Sequence, residues 1–82
     1  MGIKIWIRSQ DKEVLRNVNC IEIIKFEGEK YTTILGDGCH LGVYSTKEKA
    51  MEVLNDIYFR IKYSDIDEVL VYEMPQDDEM EV

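Results

Sequence analysis

Three side chains suited to holding a ligand alternate at the start of the chain. In the stretch Ile-Lys-Ile-Trp-Ile-Arg at residues 3–8, Lys4, Trp6 and Arg8 occupy alternate positions between isoleucines. A strand places alternate residues on one face, so the aromatic ring would lie between two cations. Such a set can stack on a nucleotide base and pair with a phosphate. The alternative is that Trp6 covers core while the cations face solvent.

The residues that could bind a metal or act as a nucleophile lack a diagnostic spacing. His40 follows Cys39 directly, and Cys20 is the second cysteine. There is no Cys-x-x-Cys or His-x-x-x-His pattern, and neighbouring strand residues point to opposite faces, so Cys39 and His40 cannot meet as a dyad. We predict no metal, no cofactor and no enzyme activity. The candidate ligand-binding residues are Lys4, Trp6, Arg8 and His40.

A second candidate surface lies toward the carboxyl end. Acidic residues follow Pro75 closely, and they could bind a basic partner or simply keep a tail soluble. Phe59 falls on the polar side of the predicted helix, where it is either a lone exposed ring or a partner contact. The candidate partner-interface residues are Phe59, Asp77, Asp78 and Glu79.

The helix between residues 45 and 63 is the strongest local signal in the chain. Ser45 and Glu48 have the spacing of a capping box. The apolar positions that follow recur at helical spacing and define one face. That face is predicted to contain Ala50, Val53, Leu54, Ile57, Tyr58 and Ile61.

Strands surround this helix. Alternating or β-branched runs predict strands at residues 3–8, 20–27, 31–35, 39–44 and 68–74, and residues 13–17 could be a strand or a loop. Gly36-Asp37-Gly38 predicts a tight turn, and Gly42 predicts a bulge or a close backbone approach. We expect an α+β fold, a single antiparallel sheet of about five strands with one helix packed on one face. Its other face, carrying Trp6, is either solvated or buried between copies.

Composition limits the function classes. The 82 residues suffice for one domain, which we place at residues 1–75, with residues 76–82 as a loose acidic tail. The net charge of −7 repels nucleic acid and anionic membranes. The chain shows no signal peptide or membrane-spanning run, and two cysteines without a disulfide pattern indicate a reducing cytoplasm.

The entry into the helix resembles one known architecture. The stretch from Leu41-Gly42-Val43-Tyr44 through Ser45-Thr46 to Glu48 and Ala50 is similar to the strand-to-helix entry of ethylene-response-type and phage integrase arm-binding domains. Those domains read DNA with a three-stranded sheet that carries one helix. The resemblance implies a sheet-plus-helix architecture. It makes a DNA-binding domain the third functional hypothesis, because those domains are basic and this chain is acidic.

A longer resemblance extends over most of the chain. The opening Ile5-Trp6-Ile7-Arg8-Ser9-Gln10-Asp11-Lys12, together with Leu41-Gly42-x-Tyr44 and the helical apolar series from Ala50 to Ile57, resembles small proteins of Gram-positive bacteria, their prophages and phages. This resemblance implies a mobile-element accessory protein in the cytoplasm of a bacterial host cell. Small phage proteins of that kind often act stoichiometrically against host defence.

Two hypotheses follow from that resemblance. In the first, the protein forms a homo-oligomer that sequesters a small nucleotide-derived immune signal at the Lys4, Trp6 and Arg8 face. In the second, it inhibits a host defence protein by direct contact through its acidic surface and Phe59.

Overall fold

The structure is a computed structural model that describes residues 4–25, 28–65 and 69–80. Its strands are β1 (Lys4–Arg8), β2 (Leu15–Asn17), β3 (Ile21–Ile24), β4 (Thr32–Gly36), β5 (Cys39–Tyr44) and β6 (Val69–Glu73). Helix α1 (Lys47–Lys62) connects β5 to β6, and a 3₁₀ turn (Asp77–Glu79) follows β6. Each predicted strand and the helix are present, with ends that differ from the predicted ones by one or more residues in β3, β4, β6 and α1, and the ambiguous residues 13–17 contain β2. The predicted strand ends at residues 3, 26–27 and 68 lie outside the described residues.

The described strands form two sheets of three strands each. Sheet A has the order β2-β1-β6, and sheet B has the order β3-β4-β5. In sheet A, β1 pairs antiparallel with β2 and parallel with β6. The α+β class is therefore confirmed, whereas the single antiparallel sheet of about five strands is wrong.

The error arises where the chain crosses from one sheet to the other. Hairpin reasoning pairs strands that follow one another, but residues 18–20 carry the chain from β2 in sheet A to β3 in sheet B. The Asp37 carboxylate, in the turn between β4 and β5, accepts hydrogen bonds from the amides of Asn19 and Cys20. The parallel pairing of β1 with β6 depends on the whole intervening chain, so no local pattern reports it.

The core lies where α1 meets strands of both sheets. The helix contacts β3, β4 and β5 of sheet B and β6 of sheet A. The buried residues form one continuous cluster: Ile5, Ile7, Val18, Ile34, Leu41, Tyr44, Ala50, Val53, Ile57, Tyr72 and Met74.

Helix α1 confirms most of the predicted apolar face. Ala50, Val53 and Ile57 are buried, and Leu54 and Ile61 are partly buried. The prediction was wrong for Tyr58, which is 55% exposed at the edge of the stripe. The N-cap is one residue later than predicted. It is Thr46 and not Ser45, because the Thr46 side chain accepts a hydrogen bond from the Lys49 amide. Within the described ranges, no helix has the length and apolar character needed to cross a bilayer.

Gly42 has both properties that its position in a strand predicted. Ile34 pairs with Gly42 while Leu35 pairs with His40, so Leu41 is the extra residue of a bulge in β5. A side chain at Gly42 would also be crowded, because its Cβ would lie 3.1 Å from Cε2 of Tyr44 and 3.3 Å from Cε of Met74.

Gln10 joins the two sheets just after β1. Its amide donates to the Leu41 carbonyl at 2.7 Å, and its side-chain oxygen accepts from the Val43 amide at 3.0 Å. Its side-chain nitrogen donates to the Pro75 carbonyl at 3.3 Å, and its carbonyl accepts from the Gln76 side chain at 2.6 Å. All four polar groups of Gln10 are therefore paired, with β5 on one side and the end of β6 on the other.

Replacing this residue tests its structural role. We expect Gln10→Ala to lower the free energy of unfolding by about 1–3 kcal/mol, because the partly buried Pro75 carbonyl and Val43 amide each lose a partner. Chemical denaturation followed by circular dichroism measures the change. Lys12→Ala in the adjacent turn is the control, and an equal loss of stability in both variants would contradict the role assigned to Gln10.

Candidate functional site

Residues 75–80, here called the C-terminal segment, are fastened to the start of α1. Tyr44 donates its hydroxyl hydrogen to the Pro75 carbonyl at 2.8 Å. The Ser45 amide donates to Oδ1 of Asp77 at 2.8 Å, and Nζ of Lys49 donates to the Asp77 carbonyl at 3.0 Å. The sequence predicted a loose tail from residue 76, but residues 76–80 lie against the body of the domain through these contacts. Residues 81–82 lie outside the described residues.

A groove of about 360 Å³ lies between α1 and the C-terminal segment. Its apolar wall combines two aromatic rings with aliphatic and thioether groups: Val53, Phe59, Tyr72, Pro75 and Met80. Its polar border is formed by exposed side chains of α1: Glu52, Asn55 and Asp56. An apolar surface bordered by two carboxylates fits an occupant that is apolar in one part and positively charged in another.

One border of this groove already holds a guanidinium group. The Tyr72 hydroxyl donates to Oδ2 of Asp56 at 3.0 Å, and Nε of Arg60 lies 3.6 Å from the same oxygen. The guanidinium carbon of Arg60 lies 5.1 Å from the centre of the Tyr72 ring. Burial, followed by the hydrogen bond to Asp56, raises the pKa of Tyr72 well above its ordinary value. Tyr72 therefore stays protonated and donates to Asp56 throughout the neutral range.

Phe59 lies among other exposed aromatic rings. Its ring centre lies 5.5 Å from that of Tyr58 in an edge-on arrangement and 6.2 Å from that of Tyr63 in a stacked one. Nζ of Lys62 lies 5.7 Å from the Tyr63 ring centre and 5.8 Å from that of Tyr58. From the sequence, Phe59 was either a lone exposed ring or a partner contact, and the neighbouring rings were not predicted. The four-residue spacing between Phe59 and Tyr63 was the signal that could have revealed the pair.

The four predicted ligand-binding residues are not brought together. Trp6 and Arg8 lie on sheet A, whereas His40 lies on sheet B in a separate cleft with Glu29, Tyr31, Thr33 and Val43. Arg8 is also engaged, because its guanidinium pairs with Glu73 at 3.3 Å and donates to the Lys12 carbonyl at 3.4 Å. The side chain of Lys4 lies outside the described part.

The predicted partner-interface residues are partly brought together. Phe59 and Met80 line the groove, and the predicted residues Asp78 and Glu79, which directly precede Met80, are exposed. Asp77 has a structural role, because it holds Ser45 and Lys49. Glu79 accepts from the Gln76 amide at 2.9 Å within the 3₁₀ turn. The groove residues Tyr72, Pro75 and Asp56 were missed, since only the tertiary fold places them beside Phe59.

The cysteines and His40 give no metal centre in the part of the chain that the structure describes. There, no three His, Cys, Asp or Glu side chains converge as metal ligands. Cys20 is exposed, and Sγ of Cys39 accepts a hydrogen bond from the Arg16 guanidinium.

Comparison with known families places this groove in a recognised domain. Residues 37–81, more than half of the chain, match the model of a domain of unknown function, DUF7336. The chain belongs to the DUF7336 family. No curated protein and no solved structure matches it. The matched residues begin at the turn before β5 and run to the C-terminal segment, so every groove residue lies within the DUF7336 domain.

The contact between Asp77 and Ser45 gives this DUF7336 chain a defined acid response. The Ser45 amide holds the pKa of Asp77 below its ordinary value of 3.8. A carboxyl group with a lowered pKa stabilises the folded state above its ordinary pKa, and that stabilisation is lost as pH falls through the lowered pKa. We expect the amide resonance of Ser45 to shift below pH 3.8 in an NMR titration.

Two variants make this titration specific. Asp77→Asn should abolish the transition at the Ser45 amide, whereas Asp78→Asn should leave it in place because Asp78 is exposed. A Ser45 transition at or above the ordinary aspartate pKa would contradict the assigned contact.

Proposed function

We propose that this DUF7336 protein is a non-catalytic binding protein that holds a segment of a partner protein in the groove between α1 and the C-terminal segment. The observation that carries the proposal is the meeting of a half-exposed Phe59 with Tyr72 and Met80 beside the carboxylates of Glu52 and Asp56. Aromatic anchors in a concave surface are typical of protein-binding hot spots. Thioether side chains such as that of Met80 adapt to differently shaped occupants.

The charge of the chain favours a basic partner. A net charge of −7 attracts positively charged surfaces and accelerates their encounter. At the groove itself, Asp56 and Tyr72 bind the guanidinium of Arg60 through an ion pair and a cation–π contact. This pairing shows that the polar border of the groove can bind a cationic side chain. The occupant that fits is a segment with an apolar side chain against Phe59 and an arginine or lysine near Glu52.

The resemblance of residues 5–12, and of the strand-to-helix region, to small phage and prophage proteins supports a biological setting. In that setting the partner is a host defence protein in the bacterial cytoplasm, and inhibition is stoichiometric. A small domain acting by contact needs an anchoring surface, and the groove supplies one.

A plaque assay with paired variants tests this function. The chain is expressed in bacteria that each carry one defence system, and phage plating is compared with that of cells without the chain. We expect restored plating on a sensitive system and loss of that effect with Phe59→Ala. Truncating an aromatic anchor costs about 2 kcal/mol or more, equivalent to roughly 30-fold weaker binding.

Tyr58→Ala is the matched control, because Tyr58 is an equally exposed helix aromatic that does not line the groove. Equal activity of Phe59→Ala and the unaltered chain would count decisively against the groove. Thermal melts of both variants distinguish loss of binding from loss of fold.

A second candidate function is capture of a small nucleotide-derived immune signal, and the exposure of Trp6 on sheet A favours it. Trp6 is the single tryptophan of the chain, so its fluorescence reports the site directly. Stacking of a base on the indole should quench this fluorescence when cyclic dinucleotides containing adenine or uridine are added. Unchanged fluorescence, together with equilibrium dialysis that leaves the nucleotides free, would exclude this function.

A further inference from the structure

Strand β6 forms one edge of sheet A, and the outer face beside it is apolar and exposed among the residues that the structure describes. The register aligns Trp6 with Val71, and Val69 lies two residues before Val71, so the side chains of Trp6, Val69 and Val71 share the outer face of the sheet. Val69 is 59% exposed, Val71 is 62% exposed, and Leu15 on β2 is 59% exposed. Together with Trp6 they expose roughly 400 Å² of apolar surface, comparable to the largest patch of a typical monomer.

The backbone of β6 is also available for pairing. The Met74 amide donates to the Arg8 carbonyl, while the Val18 amide donates to the Ile5 carbonyl on the other side of β1. In a parallel pair, the backbone amide and carbonyl of every second residue bond to the same neighbouring strand. The backbone groups of the even-numbered residues of β6 therefore point toward β1. The amides and carbonyls of Val69, Val71 and Glu73 therefore point away from β1, and no strand of the described residues pairs with β6 on that side.

The margin of sheet B formed by β5 differs. There Gln10 blocks addition of another strand, because it occupies the Leu41 carbonyl and the Val43 amide. Blocking an edge in this way is how proteins prevent unwanted pairing. Strand β6 combines an open backbone edge with outward valines, the pattern that promotes addition of a further strand.

We propose that β6 pairs antiparallel with β6 of a second copy of this chain, with the two-fold axis at Val71. This register places Val71 opposite its own copy and Val69 opposite Glu73 of the other copy, so the interface is self-complementary. It joins two three-stranded sheets into one of six strands and makes the two apolar outer faces continuous.

Charge favours a second copy over another class of partner at this edge. The chain carries −7, yet the described charges around this strand are paired. Arg8 lies 3.3 Å from Glu73, and Arg60 of the cleft beside Val71 lies 3.6 Å from Asp56. A balanced apolar face is where two acidic chains repel each other least. Because Tyr72 belongs both to β6 and to the groove, the dimer also places the two grooves near the two-fold axis.

Cysteine cross-linking tests the register without relying on a destabilised variant. In a Cys20→Ser background, Val71→Cys puts two thiols at the axis, about 5.5 Å apart between Cα atoms, within disulfide range. Val69→Cys is the matched control, because its two copies lie four residues apart along the strands, about 13 Å. We expect mild oxidation to convert most of the Val71→Cys variant, and little of the Val69→Cys variant, into covalent dimer.

Solution mass provides the second measurement. Light scattering should give twice the 9.7 kDa chain mass, and this mass should return to that of one chain with Val71→Glu. Val43→Glu, an outward position on the blocked edge of β5, should leave the dimer intact. A monomeric chain, equal cross-linking at positions 69 and 71, or a dimer that survives Val71→Glu would each overturn the proposal. The groove of α1 would be unaffected by such a result, because its test uses Phe59.

Discussion

The structure depends on one glutamine that connects three parts of the chain. Gln10 follows β1, pairs with the outer edge of β5, and hydrogen-bonds to the Pro75 carbonyl and the side chain of Gln76. Each of its four polar groups has a partner, so none remains uncompensated in a partly buried setting. These contacts set where the C-terminal segment lies, and that segment forms one wall of the groove.

The acidic character of the chain has two separate uses. Asp37 and Asp77 accept hydrogen bonds from backbone amides. Asp37 stabilises the segment that crosses from sheet A to sheet B, and Asp77 holds the C-terminal segment against the start of α1. Glu52 and Asp56 border the groove and remain exposed. The first pair acts locally through hydrogen bonds to amides. Of the second pair, Asp56 holds Arg60 and Tyr72, whereas Glu52 contributes to the field that a basic partner would meet. A count of carboxylates in the sequence does not separate these uses.

The sequence predicted some residues of the surfaces proposed for binding and missed others. Phe59 violated the periodicity of its helix, and Trp6 alternated with isoleucines, so both were predicted as candidates. Tyr72, Met80 and Asp56 follow the patterns of their strand, tail and helix, so the sequence did not mark them as site residues. They became part of a site because β6 returns to the far side of β1 and carries residues 75–80 across α1. The crossing at residues 18–20 assigns Trp6 and His40 to different sheets.

Local interactions explain what the sequence determined by itself. Period-two and period-3.6 patterns identified the strands, the helix and the buried residues Ala50, Val53 and Ile57, and glycine placement identified the bulge beside Gly42. The tertiary structure alone decided the division into two sheets, the parallel pairing of β1 with β6, the role of Gln10 and the fastening of Asp77. The last three each join residues more than 20 positions apart. Such pairings depend on the balance of burial and hydrogen bonding over the whole chain, which no short stretch of sequence records.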